Sequence, residues 1–381
     1  MYLGLKIRIY PNKMQKEIID EHIEGARYVY NYFLNYAKEK SIYDLEIWKK
    51  ELQLLIEKRN KKELINCDYY LLMNQLYILK NTFDSYFKNL CLEPHFKKKT
   101  AIISAFKISN KNQNIIISNN HIYIELLGNL KAKISKDIKN NKIYSIVVKR
   151  TTNNIYEASI LYDAFIPFFK KTYRRVGIDI GVRKFITTSD KEFILPPDNL
   201  KAIEDRIRRL QKLLSNKEKE SNNWFKLKDK IAKLHIYRNN YIKDILNKAT
   251  TKLVKEYDVI FMENISIHEL VKQQEKKAVR RKIMESSLNS IREMLIYKCK
   301  MYGKKLILID RFFPSSKICS ECGFRHDPKD EETFICPVCG LTIDRDYNAA
   351  KNIYNYGMSK KQEWIIVRRL ASEFACNTGT N

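Results

Sequence analysis

Residues 2–10 (YLGLKIRIY) alternate, with Leu5, Ile7 and Ile9 on one face and Lys6 and Arg8 on the other. This period of two predicts a β-strand, and Pro11 stops it. From Asn12, a suitable N-cap, the apolar spacing becomes helical through Met14, Ile18, Ile19, Ile23 and Ala26, and the pattern runs to about Glu39. Helical spacing continues through 44–58 and 69–91. The cluster Tyr28, Tyr30, Tyr32, Phe33 and Tyr36 suits packing between helices, and it also suits base stacking or contact with a nucleic-acid backbone.

The texture changes near Pro94. Residues 101–165 are rich in Ile, Val and Tyr with polar turns. NIIISNNHIYIEL predicts a hairpin turning at Asn119-Asn120, and YSIVVKRTTNNIYEASILY another turning at Asn153-Asn154. Together with strand 2–10 they predict a small β-barrel interrupted by the helical block 12–95. After Pro167 an α/β alternation begins. RRVGIDIG and KFITTS read as paired strands. Residues 200–256 read as a helical hairpin around SNKEKESNN, with Ile203, Ile207, Leu210 and Leu214 on one stripe and Leu227, Ile231, Leu234, Ile242 and Ile245 on the other. DVIFMEN (258–264) is a buried-type strand ending in an acid, 276–302 a helix, KKLILID (304–310) a strand and DYNAAKNIYNY (346–356) a helix.

Charge narrows the function. The 381 residues carry 71 Lys and Arg against 44 Asp and Glu, a formal net charge of +27. Such an excess repels itself and is not needed for folding, so it points to a polyanionic partner. With 44% apolar and 12% aromatic residues the chain is no disordered basic tail. No apolar run approaches the ~20 residues that span a bilayer, and Met1 to Tyr10 lacks a signal-peptide core, so an intracellular protein is expected. Membrane-surface binding fits less well, because the positive charge is spread along the chain rather than gathered on one amphipathic helix.

Four of the eight cysteines form two pairs, Cys319-x2-Cys322 and Cys336-x2-Cys339, each followed by glycine. Two such turns place four thiolates around one ion, the arrangement of a structural Zn²⁺ site with no position open to substrate. Reduced free thiols or an iron site would use the same residues. Three acids stand in costly places: Asp179 between Ile178 and Ile180, Glu263 closing VIFME, and Asp346 at a helix start after the cysteines. Converging from two strands and a helix, they suit two Mg²⁺ or Mn²⁺ ions. Taken singly, Asp179 is also a plain strand-end residue, Glu263 a surface acid, and Asp344 or Asp346 a helix N-cap.

GIDIGVRKFITT, FMENISI, RFFPSSKICSECGF and CPVCGLTIDRDYNAAKNI resemble the signature segments of the TnpB family, the transposon-encoded RNA-guided nucleases related to type V CRISPR effectors. The opening LKIRIYPNKMQKEIID and the stretch LHIYRNNYIKDILNKATTKLVKEYDVIFMEN are similar to that family as well. The resemblance implies an α/β, ribonuclease-H-like (RuvC-like) nuclease domain with an inserted zinc ribbon. It also implies an N-terminal wedge-like β-barrel interrupted by a helical recognition lobe. The boundaries are then 1–11 and 96–167 for the barrel, 12–95 for the lobe, 168–313 and 343–381 for the nuclease domain with its hairpin at 200–256, and 314–342 for the zinc-binding knuckle.

It further implies that Asp179, Glu263 and Asp346 are catalytic Mg²⁺ or Mn²⁺ ligands, with Asp344 the alternative third acid, and that Arg345 and Asn348 support them. Cys319, Cys322, Cys336 and Cys339 become ligands of structural Zn²⁺. The family's second motif often has a further acid where this chain has Asn264. The implied partners are a guide RNA from the transposon end and target double-stranded DNA, with no membrane, and with a separate transposase encoded nearby as a further candidate. The implied location is the prokaryotic cytoplasm, at the nucleoid. Guide pairing reads the target while side chains read a short flanking motif, for which Gln75, Lys80 and Asn81 have suitable chemistry. A repressor that binds without cutting, a strand-transferring transposase and a general zinc-ribbon nucleic-acid binder are the competing classes. The last leaves Asp179 and Glu263 without a purpose.

Overall fold

The computed structural model describes residues 1–58, 62–98, 103–110, 114–151, 155–166, 169–181, 183–264, 288–328 and 332–360. They fall into two compact units, the first Met1–Phe165 and the second beginning at Ile166.

In the first unit, β1 (Tyr2–Tyr10) leads into α1 (Lys13–Lys40), α2 (Leu45–Glu57) and α3 (Tyr69–Phe87). Then follow β2 (Ile103–Ser109), β3 (Ile115–Ile117), β4 (His121–Ile124), β5 (Gly128–Lys133), β6 (Ile143–Thr151) and β7 (Tyr156–Asp163). All seven strands form one sheet in the order β2-β6-β7-β1-β5-β4-β3, every pair antiparallel. Although the helices separate β1 from the other strands in sequence, it lies inside the sheet, pairing Tyr2 with Asp163 and Arg8 with Lys133. Its alternation is the cause: Ile7 and Ile9 are buried and Lys6 and Arg8 exposed, so only one face can meet the core. The β3–β4 hairpin turns at Asn119-Asn120, with the Ser118 N–H donating to the His121 carbonyl. The expected turn at Asn153-Asn154 lies outside the described residues.

Asn12 caps α1 reciprocally: its side chain accepts from the Gln15 N–H at 2.9 Å, and Gln15 Oε1 accepts from the Asn12 N–H at 3.0 Å. Tyr30 and Phe33 turn inward, and Phe33 meets Trp48, which meets Phe83, at ring separations of 6.1 and 6.3 Å. Each such ring taken fully out of water contributes roughly 1.5–3 kcal/mol. Tyr28, Tyr32 and Tyr36 form a half-buried stacked row, with centroids 6.1 and 6.4 Å apart.

The second unit holds β8 (Arg175–Asp179), β9 (Ile186–Thr188), β10 (Phe193–Ile194), β11 (Val259–Glu263) and β12 (Lys305–Ile309) in the order β10-β9-β8-β11-β12. Strands β8, β11 and β12 are parallel; β9 runs antiparallel to β8, and β10 pairs antiparallel with β9. Helices α4 (Asn199–Ser215) and α5 (Asn222–Glu256) form the expected hairpin, tied by Arg238 to Glu204 at 2.6 Å. Helix α6 (Leu288–Tyr302) follows; the expected helix began at 276, and 276–287 lie outside the described residues.

The period of two divides the parallel strands. Val176, Ile178, Ile260 and Met262 join one core with residues of α5 and α6, while Val259, Phe261, Ile307 and Ile309 join another with Ile353 of α7 (Arg345–Ser359), the last helix among the described residues. Glycines let α7 approach closely. A Cβ at Gly177 would lie 2.4 Å from the Ala350 carbonyl oxygen and 2.5 Å from the Tyr354 nitrogen, and one at Gly357 would lie 2.2 Å from the Phe261 ring. Asp179 follows Gly177 by two, and Glu263 follows Phe261 by two, so both acids belong to the face that α7 covers.

Candidate functional site

The second unit carries two clusters of chemistry-bearing side chains. In the first, the Gly323 N–H donates to the Cys319 carbonyl and the Gly340 N–H to the Cys336 carbonyl, each at 3.0 Å, closing two matching turns. Gly323 and Gly340 have φ of 75° and 73°, the left-handed region that favours glycine, so Cys-x-x-Cys-Gly is the pattern this turn requires. A hairpin of β13 (Thr333–Ile335) and β14 (Thr342–Asp344) holds the second turn, and Phe334 is buried beneath Cys319 and Cys336. The His326 ring meets Phe334 edge-on at 5.0 Å and takes a packing role.

All four sulfurs lie within 4.8 Å of one another, with Cys319–Cys339 at 3.6 Å and Cys322–Cys336 at 3.5 Å. Four sulfurs ~2.3 Å from a central zinc ion would be about 3.8 Å apart, so this set fits Zn²⁺. The backbone N–H groups of Cys339 and Val338 aim at Cys336 and, against burial, bring its thiol down to about 6, while the neighbouring Cys322 and Cys339 thiols are pushed up, so without a cation the cluster favours one thiolate.

The second cluster lies where the parallel strands end at their carboxyl edge. Met262 pairs with Ile178, so Asp179 and Glu263 follow on neighbouring strands, and Asp346 sits in the first turn of α7. Asp179 keeps some surface open, yet its carboxyl group is deep enough that burial is the first cause pushing its pKa well above the usual carboxylate range. The Glu263 and Asp346 carboxylates push it further, and the Ile180 N–H and the Arg345 charge offset part of this. Burial also raises Glu263, partly countered by the Ser315 hydroxyl, which donates to Glu263 Oε1. Among the described residues, only the four cysteines bring three or more ligand atoms within 4.8 Å of one another, so the carboxylates stand in a wider arrangement. Like charges repel, and two of the three acids have a side-chain tether: Ser315 for Glu263 and, for Asp346, Lys184 at 3.1 Å. Lys184 also pairs with Asp344; burial opposes its charge, but hydrogen bonds to the two aspartates outweigh it and raise its pKa.

Asp344 is the N-cap of α7, accepting from the Tyr347 N–H at 3.0 Å, which leaves Asp346 as the third acid facing Asp179. Asn348 is fully buried and serves the knuckle: its amide donates to the Ile318 carbonyl at 2.7 Å and accepts from the Ser320 N–H at 3.0 Å. The donor set at the strand ends is all carboxylate oxygen, the chemistry that Mg²⁺ and Mn²⁺ prefer, and its mutual repulsion favours a shared cation. Ser315 and Lys184 escaped the sequence reading because a serine before a cysteine pair and a lysine in a strand turn are unremarkable. Gln75 needs correction as a reader of DNA: it is buried, with its amide oxygen accepting from Lys97 Nζ at 3.2 Å. The signal was present, since 71, 72, 75, 76, 79 and 83 recur at helical spacing on the inward face. Lys80 pairs with Asp84.

Three family profiles match the chain: residues 1–41 a "Helix-turn-helix domain", 166–274 OrfB_IS605, described as "Probable transposase", and 289–353 the "Cas12f1-like, TNB domain". The last two span the acids and the cysteines in order. Over these regions the chain is similar to the TnpB/OrfB family. Residues 1–41 nonetheless form one strand and one long helix. Among relatives, "Putative RNA-guided DNA endonuclease" of Streptomyces pristinaespiralis is 33% identical over 217 residues, 56% of this chain and 53% of that protein. The match thus spans about half the length of that relative. InsQ of Escherichia coli (strain K12), of the same description, is 26% identical over 75% of this chain and 74% of its own length. TnpB-like protein L79 of Acanthamoeba polyphaga mimivirus is 24% identical over 93% of this chain and 73% of its own length. The fold is similar to that of the protein in "Cryo-EM structure of the Cas12f1-sgRNA-target DNA complex", with TM-score 0.55 at 15% identity over 93% of this chain and 98% of that one. No described helix is long and apolar enough to cross a membrane.

Proposed function

We propose that this chain is a TnpB-family RNA-guided DNA endonuclease of a transposable element, hydrolysing phosphodiester bonds of guide-matched DNA beside a short flanking motif. The observation that carries this reading is the position of Asp179 and Glu263 on adjacent parallel strands, on the face beneath the helix that bears Asp346. Relatives described as RNA-guided DNA endonucleases, and a fold shared with a protein solved with guide RNA and target DNA, support it. In this reading the seven-stranded sheet is the wedge-like barrel, 12–95 the recognition lobe, 168–313 with 343–381 the ribonuclease-H-like domain and 314–342 the zinc knuckle.

Asp179, Glu263 and Asp346 supply the oxygen ligands. Divalent cations held there supply water activation and charge stabilisation at the leaving oxygen. Ser315 orients Glu263, Lys184 orients Asp346, and the excess of lysine and arginine draws the RNA and DNA backbones. The test is Mg²⁺-dependent cleavage of a guide-matched duplex by the protein with its copurified RNA. Asp179→Ala or Glu263→Ala is expected to remove several kcal/mol of transition-state stabilisation, on the order of a thousandfold in rate. Undiminished cutting removes the site assignment. A footprint without product would mean a repressor, and joined transposon ends without RNA a transposase.

A further inference from the structure

Helix α7 does more than carry Asp346. Asn348 and Asn352 lie one turn apart on it, both buried. Asn352 Nδ2 donates to the Ser315 carbonyl at 2.8 Å and to the Ile318 carbonyl at 2.6 Å. Asn348 holds Ile318 and Ser320 from either side of Cys319. The strip Ser315–Ser320 is thus clamped to α7 by side-chain amides that have no solvent alternative, and buried amides left unpaired are costly. One end of the strip is the Ser315 hydroxyl on Glu263; the other is the first zinc-ligating turn. Lys351 pairs with Glu321 on the outside of the same contact. Two acids and the knuckle therefore share one hydrogen-bonded frame.

We propose that Ser315 is a positioning residue for Glu263, and that the Asn348–Asn352 clamp couples the cysteine knuckle to the acid cluster, so that an ordered knuckle sets the divalent-cation affinity of the acids. This rests on reading Glu263 as a cation ligand. The physical reason is the weakness of each part alone. Glu263 ends its strand among like charges, and one hydrogen bond from a fixed hydroxyl selects its rotamer before a cation arrives. The hydroxyl is fixed because its own backbone carbonyl is held by Asn352. That hold keeps its register because Ile318 and Ser320 are pinned next to the turn that carries Cys319 and Cys322.

The experiment is Mn²⁺ titration of the zinc-loaded full chain followed by electron paramagnetic resonance, with Co²⁺ exchanged into the knuckle as a visible-absorption report of its thiolate geometry. Partners that orient metal ligands are worth roughly 10–100-fold in metal affinity. Ser315→Ala is expected to weaken Mn²⁺ binding at the low end of that range, with the Co²⁺ spectrum retained, and Ser315→Thr, which keeps the hydroxyl, to recover most of it. Asn352→Leu, close in volume but with nothing to donate, is expected to weaken Mn²⁺ binding although it touches no acid. Wild-type affinity in Ser315→Ala, or no recovery in Ser315→Thr, overturns the positioning role. Wild-type affinity in Asn352→Leu overturns the coupling. Mn²⁺ binding that survives Asp179→Ala unchanged would instead overturn the acid site on which the proposal stands.

Discussion

The two clusters solve one problem, gathering like-charged ligands, in opposite ways. In the knuckle each pair of thiols comes from a four-residue turn, the turns are closed by their own backbone, and the sulfurs already stand 3.5–3.6 Å apart across the pairs. At the strand ends the acids come from positions 84 and 83 residues apart, on two strands and a helix, and no local turn brings any two together. Their spacing stays wider, and Glu263 and Asp346 are held by side chains distant in sequence instead of by their own loops. A soft, closed ligand set is thus encoded locally and can be structural. A hard set of carboxylate oxygens is assembled by the fold.

Zinc removal is the largest lever on this contrast. Structural zinc contributes on the order of 10 kcal/mol to such small folds, so stripping it should open 319–339 to proteolysis while the seven-stranded sheet of Met1–Phe165 stays protected. A knuckle that resists protease without zinc would erase the distinction drawn above. Gly177→Ala comes next. Its Cβ would meet helix backbone, which cannot rotate away, so α7 must lift. Overpacking of this kind costs about 1–3 kcal/mol, read as a lower denaturant midpoint, and Mn²⁺ affinity should fall with it because Asp346 moves with the helix.

The pH dependence of cation binding sharpens the electrostatic half. Asp179 holds its proton above the usual carboxylate range, so binding a cation must expel it. Affinity should therefore rise with pH, by up to about tenfold per pH unit, from the ordinary aspartate range up to the raised value, and level off above it; Mn²⁺ titrations at a series of pH values read this. In the cation-free protein the stability sign is opposite. The extra proton of the folded state stabilises it below the unfolded-state value, and that contribution is lost as pH rises through the raised folded-state value. A flat affinity profile would place Asp179 outside the ligand set.

The smallest effect separates the two aspartates of α7. Asp344→Ala removes an N-cap and should cost about 1 kcal/mol of stability while cleavage survives, whereas Asp346→Ala should abolish cleavage. The reverse pattern would make Asp344 the third ligand.

Much of this was legible without coordinates. Alternation in YLGLKIRIY predicted its strand and buried face, the apolar run VIFME predicted a buried strand, Asn12 announced α1, and the glycines after each cysteine pair stated the turn. Gln75 was misjudged by weighing its amide before its helical phase. The register that sets Glu263 beside Asp179, the approach of α7 over Gly177, and the bonds from Ser315, Lys184 and Asn352 were not legible. Local patterns determine local structure because dihedral preferences and one-sided burial act over a few residues. Contacts spanning 80 residues are decided by which buried faces fit together, and a single sequence does not print that choice.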